Sequence, residues 1–69
     1  MPELKDFNSA EKVAEYLEIS RSSVYRLTET GLMGHVKIGS LVRIRREDVE
    51  EFLKANTNPP RKEVEEKNT

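Results

Sequence analysis

At 69 residues the chain has room for one domain with a small core of marginal stability, better suited to presenting a surface than to enclosing a pocket. It contains no cysteine, so neither a disulfide framework nor a thiolate zinc site can support the fold, which has to stand on packing alone. Charged residues (36%) match hydrophobic ones (35%) and the net charge is -1, yet the apolar residues recur periodically and none of their runs approaches the roughly 18 residues of a membrane span.

In chain order, residues 1–8 read as an N-terminal arm, and MPELKDFN lacks the basic and then apolar profile of a signal peptide. Ser9 is placed to cap a first helix, and Glu11 stands where the positive helix end favours an acid. Ala10, Val13, Ala14 and Leu17 recur at helical spacing and give that helix an apolar face, onto which Phe7 can fold back. The pattern breaks over Glu18, Ile19 and Ser20. A second helix follows with Ser20 as its cap, turns Val24 and Leu27 inward, and stops near Thr30, where Gly31 can adopt the left-handed conformation. Two short helices joined by three residues predict a tight angled pair, a helix-turn-helix.

After Gly34 the period changes from helical to alternating. Val36, Ile38, Val42 and Ile44 are expected on one face of a hairpin and Lys37 and Arg43 on the other, wet face, with Gly39, Ser40 and Leu41 forming the turn. Residues 46–54 return to helical spacing through Val49, Phe52 and Leu53, with Glu47 and Asp48 in the first turn. Over 56–69 two consecutive prolines, one aliphatic residue and many charges predict a disordered, charged tail. The expectation is a mostly α domain over 9–55, a winged helix-turn-helix of three helices and a two-stranded wing.

The small net charge conceals opposed blocks. Residues 1–19 carry five acids against two bases and residues 47–69 seven against four, whereas residues 20–46 carry six bases (Arg21, Arg26, Lys37, Arg43, Arg45, Arg46) against Glu29 alone. Attraction to phosphate would be concentrated in that middle block. With Val24 and Leu27 inward, a turn of about 100° per residue puts Ser22, Tyr25, Arg26 and Glu29 outward, flanked by Arg21 and Ser23. Arginine can pair bidentately with guanine, serine with several base or phosphate acceptors, and tyrosine with a phosphate or a thymine methyl. These residues, with the capping Ser20, are the candidate contacts of a helix seated in the major groove of double-stranded DNA. Lys37, Ser40, Arg43, Arg45 and Arg46 extend them through the wing to adjacent phosphates or the minor groove.

The same helix also reads as a solvated polar face, and the wing charges as protection of an edge hairpin against aggregation. Leu41 can wedge against DNA sugars, meet a second subunit or fold back onto Val36. His35, the single histidine, reads as solvated or as a hairpin cap, since it lacks companions for a metal site. Glu47, Asp48, Glu50 and Glu51 read as complements to a helix dipole. No catalytic group, cofactor site, metal site or small-molecule pocket is expected, and no membrane association. The expected location is cytoplasmic, with the nucleoid.

The run SAEKVAEYLEISRSSVYRLTETGLMGHVKIGSLVRIRREDVEEFL, residues 9–53, resembles the excisionase-type helix-turn-helix family, relatives of the MerR DNA-binding domain. The resemblance rests on VAEYL, SRSSVYRL, VKIG and VRIRREDVEEFL in that order. It implies a bacterial or phage winged-helix protein that directs excision or represses promoters, with Arg21, Ser22, Ser23, Tyr25 and Arg26 in the major groove and Lys37, Ser40 and Arg43 in the wing. The chain departs from the family pattern at Glu18, where glycine is common because the turn wants positive φ, and at Leu41 and Val42, where arginine or a large aromatic is common. Further copies of the chain or a recombinase on DNA are the implied protein partners. The competing reading is a module that docks a protein through Tyr25, Leu41 and the acidic third helix.

Overall fold

The structure, a computed structural model, describes residues 3–58; the predicted tail beyond that point lies outside the described residues. Six elements follow one another: β1 (Phe7–Asn8), α1 (Ala10–Leu17), α2 (Arg21–Glu29), β2 (Val36–Ile38), β3 (Leu41–Arg45) and α3 (Arg46–Ala55). Ser9 caps α1, its hydroxyl accepting from the Lys12 amide at 3.2 Å, and Ser20 caps α2 by accepting from the Ser23 amide at 3.1 Å. α2 ends as its composition suggests. Gly31 takes φ +80°, and the amides of Gly31 and Leu32 donate to the carbonyls of Thr28 and Leu27, closing the last turn.

The core is one cluster of Ala10, Val13, Ala14, Val24, Met33, Ile44 and Val49, each nearly inaccessible, with Leu4, Leu17, Leu27, Val42 and Phe52 packed around it. Every helix and the central strand contribute, so the angle between α1 and α2 is set by side chains from across the chain. Met33, in the link between α2 and the hairpin, belongs to no periodic segment, and its burial was not foreseen. Leu53, expected inward, is 38% exposed. Val49 supplies the fully buried contact of α3, and half-buried Phe52 packs against the cluster beside it.

The expected two-stranded wing, β2 against β3, is present, and a third strand joins it. β1 pairs antiparallel with β3, giving the order β1-β3-β2. This corrects the reading of Phe7. Paired with Arg45, Phe7 faces solvent at 54% exposure, while Asn8, paired with Ile44, turns inward at 3%. The Asn8 amide donates to the carbonyls of Lys5 (2.8 Å) and Ile44 (3.0 Å), and its oxygen accepts from the Lys5 amide, so the buried polar group is satisfied.

The hairpin register brings a second correction. Ile38 pairs with Leu41, Lys37 with Val42 and Val36 with Arg43. The turn therefore holds two residues, Gly39 and Ser40, with glycine first at φ +62°, as two-residue hairpin turns favour. A turn shorter by one residue reverses the faces of β3 relative to β2. Val36, Ile38, Leu41 and Arg43 share one face, and Lys37 lies on the other with Val42 and the buried Ile44. The expected single wet face for Lys37 and Arg43 does not form. Leu41 and Ile38, neighbours across the tip, are 53% and 55% exposed.

Candidate nucleic-acid interface

The turn between α1 and α2 depends on Glu18, which adopts φ 57°, ψ 44°. It is the one non-glycine residue with positive φ among the described residues, at the position where the family pattern favours glycine. The Glu18 amide donates to Glu15 and the Ile19 amide to Ala14, closing α1 before the chain turns into Ser20. Around the Ser20 cap, the Ser22 and Ser23 hydroxyls lie 3.1 and 2.8 Å from Ser20 Oγ. These serines thus organise the start of α2, and Ser22 remains exposed.

α2 is anchored by Val24, fully buried, by half-buried Leu27, and by Thr28, 5% exposed. Thr28 was not foreseen as an inward residue. Its hydroxyl donates to the Tyr25 carbonyl at 2.8 Å, a local bond that lets a polar side chain occupy an apolar interface. The opposite side of the helix exposes Ser22, Tyr25, Arg26 and Glu29, the four residues that helical periodicity placed there. Among the described residues the Arg26 side chain has no hydrogen-bond or ion-pair partner, whereas the Arg21 guanidinium meets Glu11 of α1 at 2.9 Å.

The wing contributes unevenly. Lys37 and Ser40 are exposed; Arg43 is half-buried and donates to the carbonyl of its neighbour Val42 at 2.9 Å. Arg45 and Arg46, grouped with them in the sequence, stand at the junction of β3 and α3 and are engaged there. Arg46 pairs with Asp6 at 2.8 Å and so ties the N-terminal segment to α3. Arg45 donates through Nε and Nη2 to the two oxygens of Asp48, at 2.9 and 2.8 Å, with Glu47 at 3.4 Å. The Asp48 carboxylate also accepts the Arg45 amide at 3.1 Å, completing the start of α3. Hydrogen bonding to Arg45 holds the Asp48 carboxyl below its ordinary range, against the burial that would raise it, and Asp48 in turn raises Arg45. The sequence signal for this clasp was an acid three residues after the last strand residue.

The described surface thus offers Tyr25, Arg26, Lys37 and Ser40 uncommitted, Ser22, Arg21 and Arg43 partly committed, and Arg45 and Arg46 engaged in holding the fold. Among the described residues no group of three or more histidine, cysteine or acidic side chains is arranged to hold a metal ion, and no helix is long and apolar enough to cross a membrane.

A family model described as a helix-turn-helix domain matches residues 9–57, from the cap of α1 past the end of α3. No curated protein and no solved structure matches the chain. Three helices, a hairpin and a match over more than half of its length place this chain in the excisionase-type helix-turn-helix family of DNA-binding domains.

Proposed function

We propose that this chain recognises double-stranded DNA by sequence, as an excisionase-like architectural factor or a transcriptional regulator, with α2 in the major groove and the wing over residues 36–44 on the adjacent backbone or minor groove. The observation that carries the reading is the division of α2. Val24, Leu27 and Thr28 fasten one side, and the other presents Arg26 without a partner among the described residues, beside Ser22 and Tyr25. Lys37 and Arg43, on opposite faces of the hairpin, suit a wing that meets phosphates on both of its sides. Arg45 and Arg46 take a structural part in this proposal, which leaves Arg21, Arg26, Lys37 and Arg43 as the cations that face DNA.

Four cations predict a slope of about -3 to -4 for the logarithm of affinity against that of salt concentration. Binding isotherms on duplex DNA at several salt concentrations, for the wild type and Arg26→Ala, test the reading. The variant should bind about tenfold more weakly or worse. An undiminished variant, or no binding at low salt, would remove α2 as the reader and favour a protein-docking role. A single module covers only about 600 to 1,000 Å² on DNA, so tight occupancy is proposed to require further copies or a partner such as a recombinase. Sedimentation on a multi-site duplex tests this, and independent single-copy occupancy would count against it.

A further inference from the structure

Two arginines on one reader helix are treated differently by the fold. Arg26 has no partner among the described residues. Arg21 is the first residue of α2, at the positive end of the helix dipole, where a cation is disfavoured, and the first turn of α2 supplies no acid of its own. The compensating charge comes from α1: Glu11 Oε2 lies 2.9 Å from Arg21 Nη1, with the two side chains 63% and 62% exposed.

We infer that Glu11 is a specificity-determining residue of the DNA interface, acting by holding Arg21. This rests on the reading of α2 as the DNA reader. The pair occupies Nη1 alone, so the edge formed by Nε and Nη2, one of the two edges with which arginine makes bidentate contacts, stays open to a correctly placed acceptor. The neighbouring carboxylate meanwhile offsets the charge that a passing phosphate would feel. Binding to unselected DNA depends on charge and counterion release, whereas binding to a preferred site also depends on geometry. Glu11 subtracts from the first and preserves the second. Arg26 brings its full charge along with its base contact; Arg21, held by Glu11, brings direction with less charge.

The test uses the full chain, with Glu11→Gln, Arg21→Ala and the double variant, on a mixed-sequence duplex and on a duplex enriched by the wild type from a randomised pool. Glu11→Gln should bind the mixed duplex about two- to fivefold more tightly, the range of an exposed ion pair, with a salt slope steeper by about one. Its gain on the enriched duplex should be smaller, so that discrimination falls. In the Arg21→Ala background the substitution should change neither affinity nor slope. An unchanged Glu11→Gln affinity for the mixed duplex, equal gains on both duplexes, or a gain that persists without Arg21 would each overturn the inference. If Arg26→Ala weakens binding while Glu11→Gln is silent, the inference alone fails; if the wild type binds no duplex, the reading of α2 fails with it.

Discussion

Arg45 and Asp48 clasp the point where β3 becomes α3: the guanidinium takes both oxygens of the carboxylate, and the Arg45 amide takes one of them as well. No linker separates the strand from the helix, so this clasp sets the direction in which α3 leaves the sheet. Asp48 is 7% exposed and its partner considerably more open, which makes the acid the sensitive member.

Asp48→Asn should lower the unfolding free energy by about 1 to 2 kcal/mol at pH 7, as charge-assisted bonds become neutral and one oxygen becomes a donor facing Arg45. The pH dependence follows from the lowered carboxyl. Its contribution is fully present above the unfolded value of about 3.9 and is lost as pH falls through the lower, folded value. Urea unfolding from pH 7 to pH 2 should therefore show the gap between wild type and variant closing only in the acid range.

Gly34 lies under the same carboxylate. A Cβ added there would sit 2.7 Å from Asp48 Oδ1, so Gly34→Ala should cost about 1 to 3 kcal/mol by crowding, with no contribution from backbone conformation. Combined with Asp48→Ala, which removes the obstructing atoms, the glycine substitution should cost much less. A thermal-denaturation double-mutant cycle reads this coupling, and strict additivity would contradict it.

Glu18 holds a left-handed conformation that an ordinary side chain adopts at a penalty. Glu18→Gly should stabilise the domain by about 0.5 to 1 kcal/mol, the relief of strain exceeding the added freedom of the unfolded chain, whereas Glu18→Val should destabilise it. Opposite shifts in the unfolding midpoint are the expected result.

Lys37 and Arg43 stand on opposite faces of the wing. On the proposed reading, Lys37→Ala and Arg43→Ala should each reduce the salt slope by about 0.9, and the double variant by the sum, because each meets a different phosphate. Isotherms over a salt series measure the slopes; a double variant no weaker than either single one would mean that only one face touches DNA.

The sequence by itself determined what neighbours within a turn or two can settle. The caps at Ser9 and Ser20, the stop at Gly31, the break over Glu18 to Ser20 and the outward set Ser22, Tyr25, Arg26 and Glu29 all follow from helical periodicity and bonds spanning three to five residues. Tertiary structure decided the rest, because it turned on partners far away in the chain. β1 exists because β3 offers it an edge, which seals Asn8 against Ile44, 36 positions away, and leaves Phe7 in solvent. Arg46 finds Asp6 across 40 positions and Arg21 finds Glu11 across ten, so a basic run in the sequence became two structural arginines, and one arginine of the reader came under restraint. The faces of the wing turned on a single residue in the length of its turn, because strand alternation converts a shift of one into a reversal of every side chain.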